Sequence, residues 1–151
     1  VRATLLMVKA ALPSLRKSEN ARVVVVAPPP TQSARWLGNY LPYAVSKLSL
    51  SLAVIGLAEE LKRYGIAVTA IWPHIVVQTD AIIHAHHIRP ENCRKPEIVA
   101  DAVSALLALP PRIESGRFFL DEEILRQRGV SDFSHYAVDP SKPLASDLFV
   151  S

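Results

Sequence analysis

Hydrophobic residues in this chain fall into blocks of two kinds, one spaced as on a helix and one continuous. Val1, Leu5, Val8, Leu12 and Leu15 recur at helical spacing, so residues 1–17 read as an amphipathic helix that Pro13 would kink or end. Ser18-Glu19-Asn20 reads as a turn. Val23-Val24-Val25-Val26 follows, a β-branched run of the kind expected of a central strand covered on both faces. Pro28-Pro29-Pro30 stops it, and residues 31–39 read as loop. A second helix is expected from Leu41 to Tyr64. Its Leu48, Leu50, Leu52, Val54, Ile55, Leu57 and Leu61 leave it apolar almost all round. Such a helix must bury two sides, one against a sheet and the other against another helix or another subunit. It turns polar at Glu59-Glu60 and stops at Gly65, a glycine cap. Ile66 to Trp72 reads as a second buried strand closed by Pro73. Residues 74–95 read as irregular or partly helical. Pro96 then opens a third long helix with Ile98, Val99, Ala102, Val103, Leu106 and Leu107 on its apolar side. Gly116 to Leu120 is a short third strand, followed by a short helix near 121–128 and a proline-containing tail.

Helices and strands alternate throughout. That order predicts an α/β fold, a parallel sheet with flanking helices, Rossmann-like but truncated to about three strands of the usual six or seven.

At 151 residues, 50% hydrophobic and 21% charged, the chain amounts to one globular domain. No apolar run reads as long enough to span a membrane, and no secretory leader opens the chain. A net charge of +3 on dispersed basic residues argues against nucleic acid as a partner. The single cysteine, Cys93, cannot form an internal disulfide, which fits an intracellular, reducing compartment.

Against this background Tyr43-Ala44-Val45-Ser46-Lys47 stands out, at the head of the long helix and just after a strand. Tyr and Lys four apart on a helix share a face. An ammonium beside a phenol favours the phenolate and brings it toward working pH, where it can exchange a proton with a substrate hydroxyl or carbonyl. The spacing alone equally describes an ordinary surface pair. His84-Ala85-His86-His87 invites a metal reading, but His84 and His86 share a face only in a strand, and His84 and His87 only in a helix. No Cys or acidic partner stands at ligand spacing, so this run reads as an exposed loop, and no metal site is expected. Arg94 and Lys95 beside Cys93 would lower a thiol pKa, although a plain free thiol is the simpler reading. Trp36 and Trp72 read as packing residues, and Glu122-Glu123 as a solvated face at a helix start.

Taken together, these residues resemble the short-chain dehydrogenase/reductase family over the second half of its fold. The resemblance rests on Val23 to Val26, the Tyr43/Lys47 pair, Gly65-Ile66-Ala67-Val68, and Trp72-Pro73 leading to Thr79. The hydroxysteroid dehydrogenase-like branch is the most similar. It is suggested by Ala27-Pro28-Pro29-Pro30, Gly56-Leu57-Ala58-Glu59-Glu60, Arg94-Lys95-Pro96-Glu97-Ile98 and Phe118-Phe119-Leu120-Asp121-Glu122-Glu123, and its tail by Tyr136-Ala137-Val138. The resemblance implies an oxidoreductase that uses NAD or NADP on an alcohol/carbonyl pair, with a small and lipophilic substrate, steroid-like or fatty-acyl. Tyr43 would be the acid/base. Lys47 would hold the nicotinamide ribose and lower the Tyr43 pKa. The backbone near Val77 and the Thr79 hydroxyl would contact the carboxamide. It also implies a homo-oligomer through helices 1–17 and 41–64.

The chain departs from that pattern in several places. The family's Gly-rich phosphate turn is not among Gly38, Gly56, Gly65, Gly116 and Gly129. The family's catalytic Asn would fall one position before Val1. Ala27 stands where the branch has its Ser, with Thr31 or Ser33 as stand-ins if the loop folds back. His74 replaces a common glycine. If nothing precedes Val1, neither NAD(P) binding nor turnover is expected. The rival expectation is a non-catalytic truncated dehydrogenase kept as an interaction or oligomerisation module. The upstream sequence distinguishes the two.

Overall fold

Residues 1–85, 88–110 and 115–150 are described by a computed structural model of the chain. They form two compact units, Val1–Trp72 with Leu107–Phe119, and Pro73–Leu106 with Leu120–Ser151.

In the first unit, α1 (Arg2–Leu15) leads to β1 (Arg22–Val26), α2 (Ala34–Asn39), α3 (Leu41–Leu61) and β2 (Ala67–Trp72), and β3 (Phe118–Leu120) completes the sheet. The sheet is parallel and three-stranded in the order β1-β2-β3, with Val23 opposite Val68 and Val25 opposite Ala70. β2 is buried along its whole length, as a central strand should be. β1 differs from expectation. It lies at an edge of this sheet and Val26 is 47% exposed, because a β-branched run reports strand propensity rather than how many faces are covered.

Val54, Ala58 and Leu61 of α3 pack with Val8 of α1, Val25 of β1, and Val68 and Ala70 of β2 in one apolar cluster, about which Leu12 and Leu15 also gather. A single turn of 3₁₀ helix, Lys62–Tyr64, carries α3 to Gly65, whose φ of 69° and amide bond to the Lys62 carbonyl make the expected cap. The other face of α3 is uncovered in the single chain. Leu41, Val45, Leu52 and Ile55 fall along one stripe and are exposed, Leu52 at 67%. Leu41–Tyr64 is also long and apolar enough, by length and composition alone, to cross a membrane, and 22% of its most apolar stretch is buried. This corrects the expectation that no apolar run reaches that length, although a helix covering a sheet on one side passes the same test.

Residues 31–39, expected as loop, contain α2. The proline block ends at Pro30, Thr31 Oγ1 accepts the Ser33 amide at 3.1 Å, and Ala34-Arg35-Trp36-Leu37 then coils without a breaker.

The second unit contains α4 (Asp80–Ala85), α5 (Glu97–Leu107) and α6 (Asp121–Gln127), together with a segment more ordered than the irregular reading of residues 74–95. His74–Gln78 runs as an extended strip bonded on both edges. On one edge the Val76 amide donates to Ala145 at 2.9 Å, and the Asp147 amide donates to His74 at 3.0 Å. On the other, Arg94 donates to Val76 and accepts from Gln78, both at 2.8 Å. Ile98, Ala102 and Leu106 of α5 and Ile124 and Leu125 of α6 are buried apolar residues of this unit. Tyr136 donates to Asp101 at 2.7 Å, and burial together with that bond pushes its phenol up to about 12.

Candidate active site

Pro42 in the first turn of α3 fixes the helix start, so Tyr43 falls in that turn and Lys47 one turn later on the same side. Lys47 Nζ stands 5.7 Å from the centre of the Tyr43 ring and 5.4 Å from the centre of the Trp72 ring. Both lie within the range of cation–π attraction. Trp72, the last residue of β2, is buried, as expected of a packing residue, and it also forms the wall against which the lysine rests. Tyr43 is 42% exposed, so part of its side chain lies at the surface. The geometry therefore places a cation beside a partly exposed tyrosine ring at the carboxyl end of the central strand.

Ser51, which sequence reasoning passed over, ties this region to the turn after β1. Its buried Oγ donates to the Pro28 carbonyl at 2.7 Å. The available signal was a serine one turn after Lys47 on the same helix face. Ala27 is 0% exposed, and its amide donates to Ile71 at 3.1 Å. It offers a methyl group where the family resemblance calls for a hydroxyl. The Thr31 hydroxyl accepts the Ser33 backbone amide in the turn that opens α2.

In the second unit, Val77 sits between the two residues held by Arg94. Its own amide and carbonyl make no hydrogen bond among the described residues, although the residue is buried. A buried donor and acceptor left side by side is uncommon and marks a place where a ligand can supply the partners. Thr79 is exposed at the start of α4. Its carbonyl accepts from Ile82 and Ile83, both at 2.9 Å, and its hydroxyl makes no bond among the described residues.

A cluster of charges underlies the strip. Asp121 is fully buried, and its Oδ1 accepts the His74 amide at 3.0 Å and the Glu122 amide at 2.7 Å. Burial raises its pKa above the usual 3.8, partly offset by those two bonds and by Arg94. Glu122 was expected on a solvated face, but is 8% exposed. Its Oε1 meets Arg94 Nη1 at 2.5 Å and His74 Nδ1 at 3.2 Å, and its Oε2 accepts from Arg126 at 2.8 Å. The Arg94 contact is a buried ion pair. Burial pushes Glu122 up, but the Arg126 bond and the Arg94 charge outweigh it and hold the carboxyl below 4.5. The guanidinium groups of Arg94 and Arg126 also stack on Phe133, 5.3 and 4.6 Å from its centre. Two acidic residues in a row read as a helix-start face, and only the partners reveal which of them turns inward. Glu123 does face outward and bonds the Leu120 amide at 3.0 Å.

Cys93 is buried, and burial followed by Asp147 and Glu91 raises its thiol pKa, the reverse of what Arg94 and Lys95 would suggest. His84 lies 2.6 Å from the Asp80 carbonyl, while His86 and His87 fall outside the described residues. Among the described residues no three metal-ligating side chains converge.

The profile of the short chain dehydrogenase family matches residues 1–87, a span that includes Tyr43, Lys47, Val77 and Thr79. Hydroxysteroid dehydrogenase-like protein 2 of Danio rerio is 38% identical over 152 residues, covering 99% of this chain and 36% of that protein. The crystal structure of a candidate dehydrogenase from Xanthomonas campestris superposes with a TM-score of 0.95 at 39% identity, over 99% of this chain and 55% of that one. A short chain dehydrogenase from Mycobacterium thermoresistibile gives 0.90 at 32% identity, over 100% and 54%. The chain thus spans between about a third and about half of the proteins it resembles.

Proposed function

The chain belongs to the short chain dehydrogenase family, and on that premise we propose that it carries the acid/base half of a nicotinamide-dependent oxidoreductase that interconverts an alcohol and a carbonyl. The observation that carries this reading is Lys47 Nζ at 5.7 Å from the Tyr43 ring, on consecutive turns of α3. In the reducing direction the Tyr43 hydroxyl gives its proton to the carbonyl oxygen as that oxygen gains charge; in the oxidising direction the phenolate takes the proton back. Lys47 stabilises the phenolate and offers donors to the ribose hydroxyls. A carboxamide bears one acceptor oxygen and one donor NH2, which fits the amide and carbonyl of Val77, unpartnered among the described residues, with the Thr79 hydroxyl as a further partner. The nicotinamide, when bound, supplies or accepts the hydride.

None of the glycines offers a phosphate cradle. Gly38 and Gly56 lie within α2 and α3, and Gly65, Gly116 and Gly129 occupy turns with positive φ. Turnover is therefore expected only where a Gly-rich turn is supplied by sequence outside these 151 residues, and NAD and NADP both remain candidate cofactors. By resemblance the substrate is lipophilic, steroid-like or fatty-acyl. The test is titration of the full-length protein with NADH and NADPH, followed by turnover with a panel of such carbonyls. Binding with turnover supports the reading; a correctly folded full-length protein that binds neither cofactor refutes it.

A second reading, a non-catalytic interaction module, is favoured by the exposed stripe Leu41, Val45, Leu52 and Ile55 together with the methyl group of Ala27. The same stripe on α3, with α1 beside it, is the surface through which the chain would form a homo-oligomer under either reading.

A further inference from the structure

We propose that Arg94, Glu122 and His74 form a clamp that holds the strip His74–Gln78 in place and so presents the backbone of Val77 to the nicotinamide carboxamide. This rests on the functional reading above and deepens it. The three are positioning residues, acting through Val77.

Three observations converge. First, Arg94 binds the strip through its backbone at two points, the Val76 carbonyl and the Gln78 amide, leaving Val77 between them with its own backbone groups unbonded among the described residues. Arg94 is therefore the direct neighbour that decides where Val77 points. Second, the Arg94 side chain is 6% exposed and is anchored by Glu122 and by the Phe133 ring, so the backbone carrying those two bonds cannot drift without uncovering a buried charge. Third, the same Glu122 carboxylate reaches His74 Nδ1, and the adjacent Asp121 takes the His74 amide. One acidic pair at the start of α6 thus fixes both the entrance of the strip, at His74, and the bracket around its middle, at Arg94. A donor and acceptor held ready in this way bind without an ordering cost, which is what a flexible loop at the same position would have to meet.

The test uses the full-length protein and the variant Glu122→Gln, with two readouts. Amide hydrogen exchange of His74, Gln78 and Arg94 is compared with that of Ala70 in β2. Affinity for NADH is compared with affinity for ADP-ribose, which lacks the nicotinamide. The clamp predicts that the three amides exchange at least about tenfold faster while Ala70 is unchanged, because the buried partners of Glu122 lose their charge-assisted contacts. It predicts an NADH affinity weakened at least about tenfold with ADP-ribose unaffected, a split that general destabilisation would not produce. Arg94→Lys, which keeps the charge and loses the fork, should fall between the two. Unchanged exchange in folded Glu122→Gln, or equal weakening of NADH and ADP-ribose, overturns the clamp. If Glu122→Gln does not fold, His74→Ala removes a ring that is 40% exposed, keeps the Arg94–Glu122 pair, and is judged by the same comparisons. If the wild-type protein binds ADP-ribose and NADH equally, the carboxamide contact falls while the functional reading is still decided by turnover; if the exchange pattern fails, the clamp itself is refuted.

Discussion

Replacing Asp121 by Ala and by Asn separates the two things this residue does. Its Oδ1 accepts two backbone amides, from His74 and from Glu122, in a place with no solvent. Ala removes both acceptors and strands two buried donors, each at about 1–3 kcal/mol, for a total of about 2–6 kcal/mol. Asn keeps an oxygen at the Oδ1 position and sheds a charge that burial disfavours, so its cost should be no more than about 1 kcal/mol. The pH dependence carries a definite sign. Burial raises the folded pKa above 3.8, so between 3.8 and the folded value the folded state retains a proton that the unfolded chain has released. The contribution of Asp121 is therefore whole below pH 3.8 and is lost as pH rises through the folded value. Glu122, held below 4.5, runs the other way: its contribution is present above 4.5 and is lost as pH falls. Asn should delete the first of these trends and leave the second. Urea unfolding followed by circular dichroism, from acid to neutral pH, reads both. If Asn costs as much as Ala, the carboxylate charge rather than its acceptor geometry holds the strip, and the reasoning fails.

Further consequences follow from other elements. Gly65→Ala meets no atom within 4 Å of its added Cβ, so its cost is that of a side chain at φ +69° alone, about 1–2 kcal/mol, measurable by thermal unfolding. Leu52→Glu, at the most exposed leucine of the α3 stripe, should shift the protein to a smaller species in sedimentation velocity; a wild-type protein already monomeric at assay concentrations would remove the oligomer proposal. Val54→Ala, at a fully buried position of the first unit, should cost about 1–3 kcal/mol in the same unfolding assay, scaled down from the larger Leu→Ala series, and a change below about 0.5 kcal/mol would contradict the packing described.

Much of this was legible in the chain. Helical spacing from Val1 to Leu15, the closed run from Ile66 to Trp72 and the glycine after Tyr64 each report a local preference that the packed structure keeps. Tyr43 and Lys47 were legible for the same reason, since four residues on a helix fix a common face whatever surrounds it. What was hidden depends on partners far along the chain. The order in His74–Gln78 is completed by Arg94 and by Ala145 to Asp147, although Ile75-Val76-Val77 is itself a short β-branched run within a stretch that reads as irregular. Glu122 turns inward because Arg94, 28 positions earlier, needs a counter-charge there, whereas its neighbour Glu123 remains on the surface. β1 carries a stronger strand signal than β2 and is nonetheless the more exposed, since composition does not record what lies beside a strand.

The central claim is that Tyr43 moves the proton and Lys47 supports it. The most direct measurement compares the full-length wild-type protein with Tyr43→Phe for reduced-nicotinamide consumption on a lipophilic carbonyl, alongside NADH and NADPH binding to each. Loss of turnover by about 100-fold or more with cofactor affinity unchanged is the expected result. A Tyr43→Phe protein that turns over at the wild-type rate would show that the proton comes from elsewhere and that the pair on α3 is only a helix-surface contact.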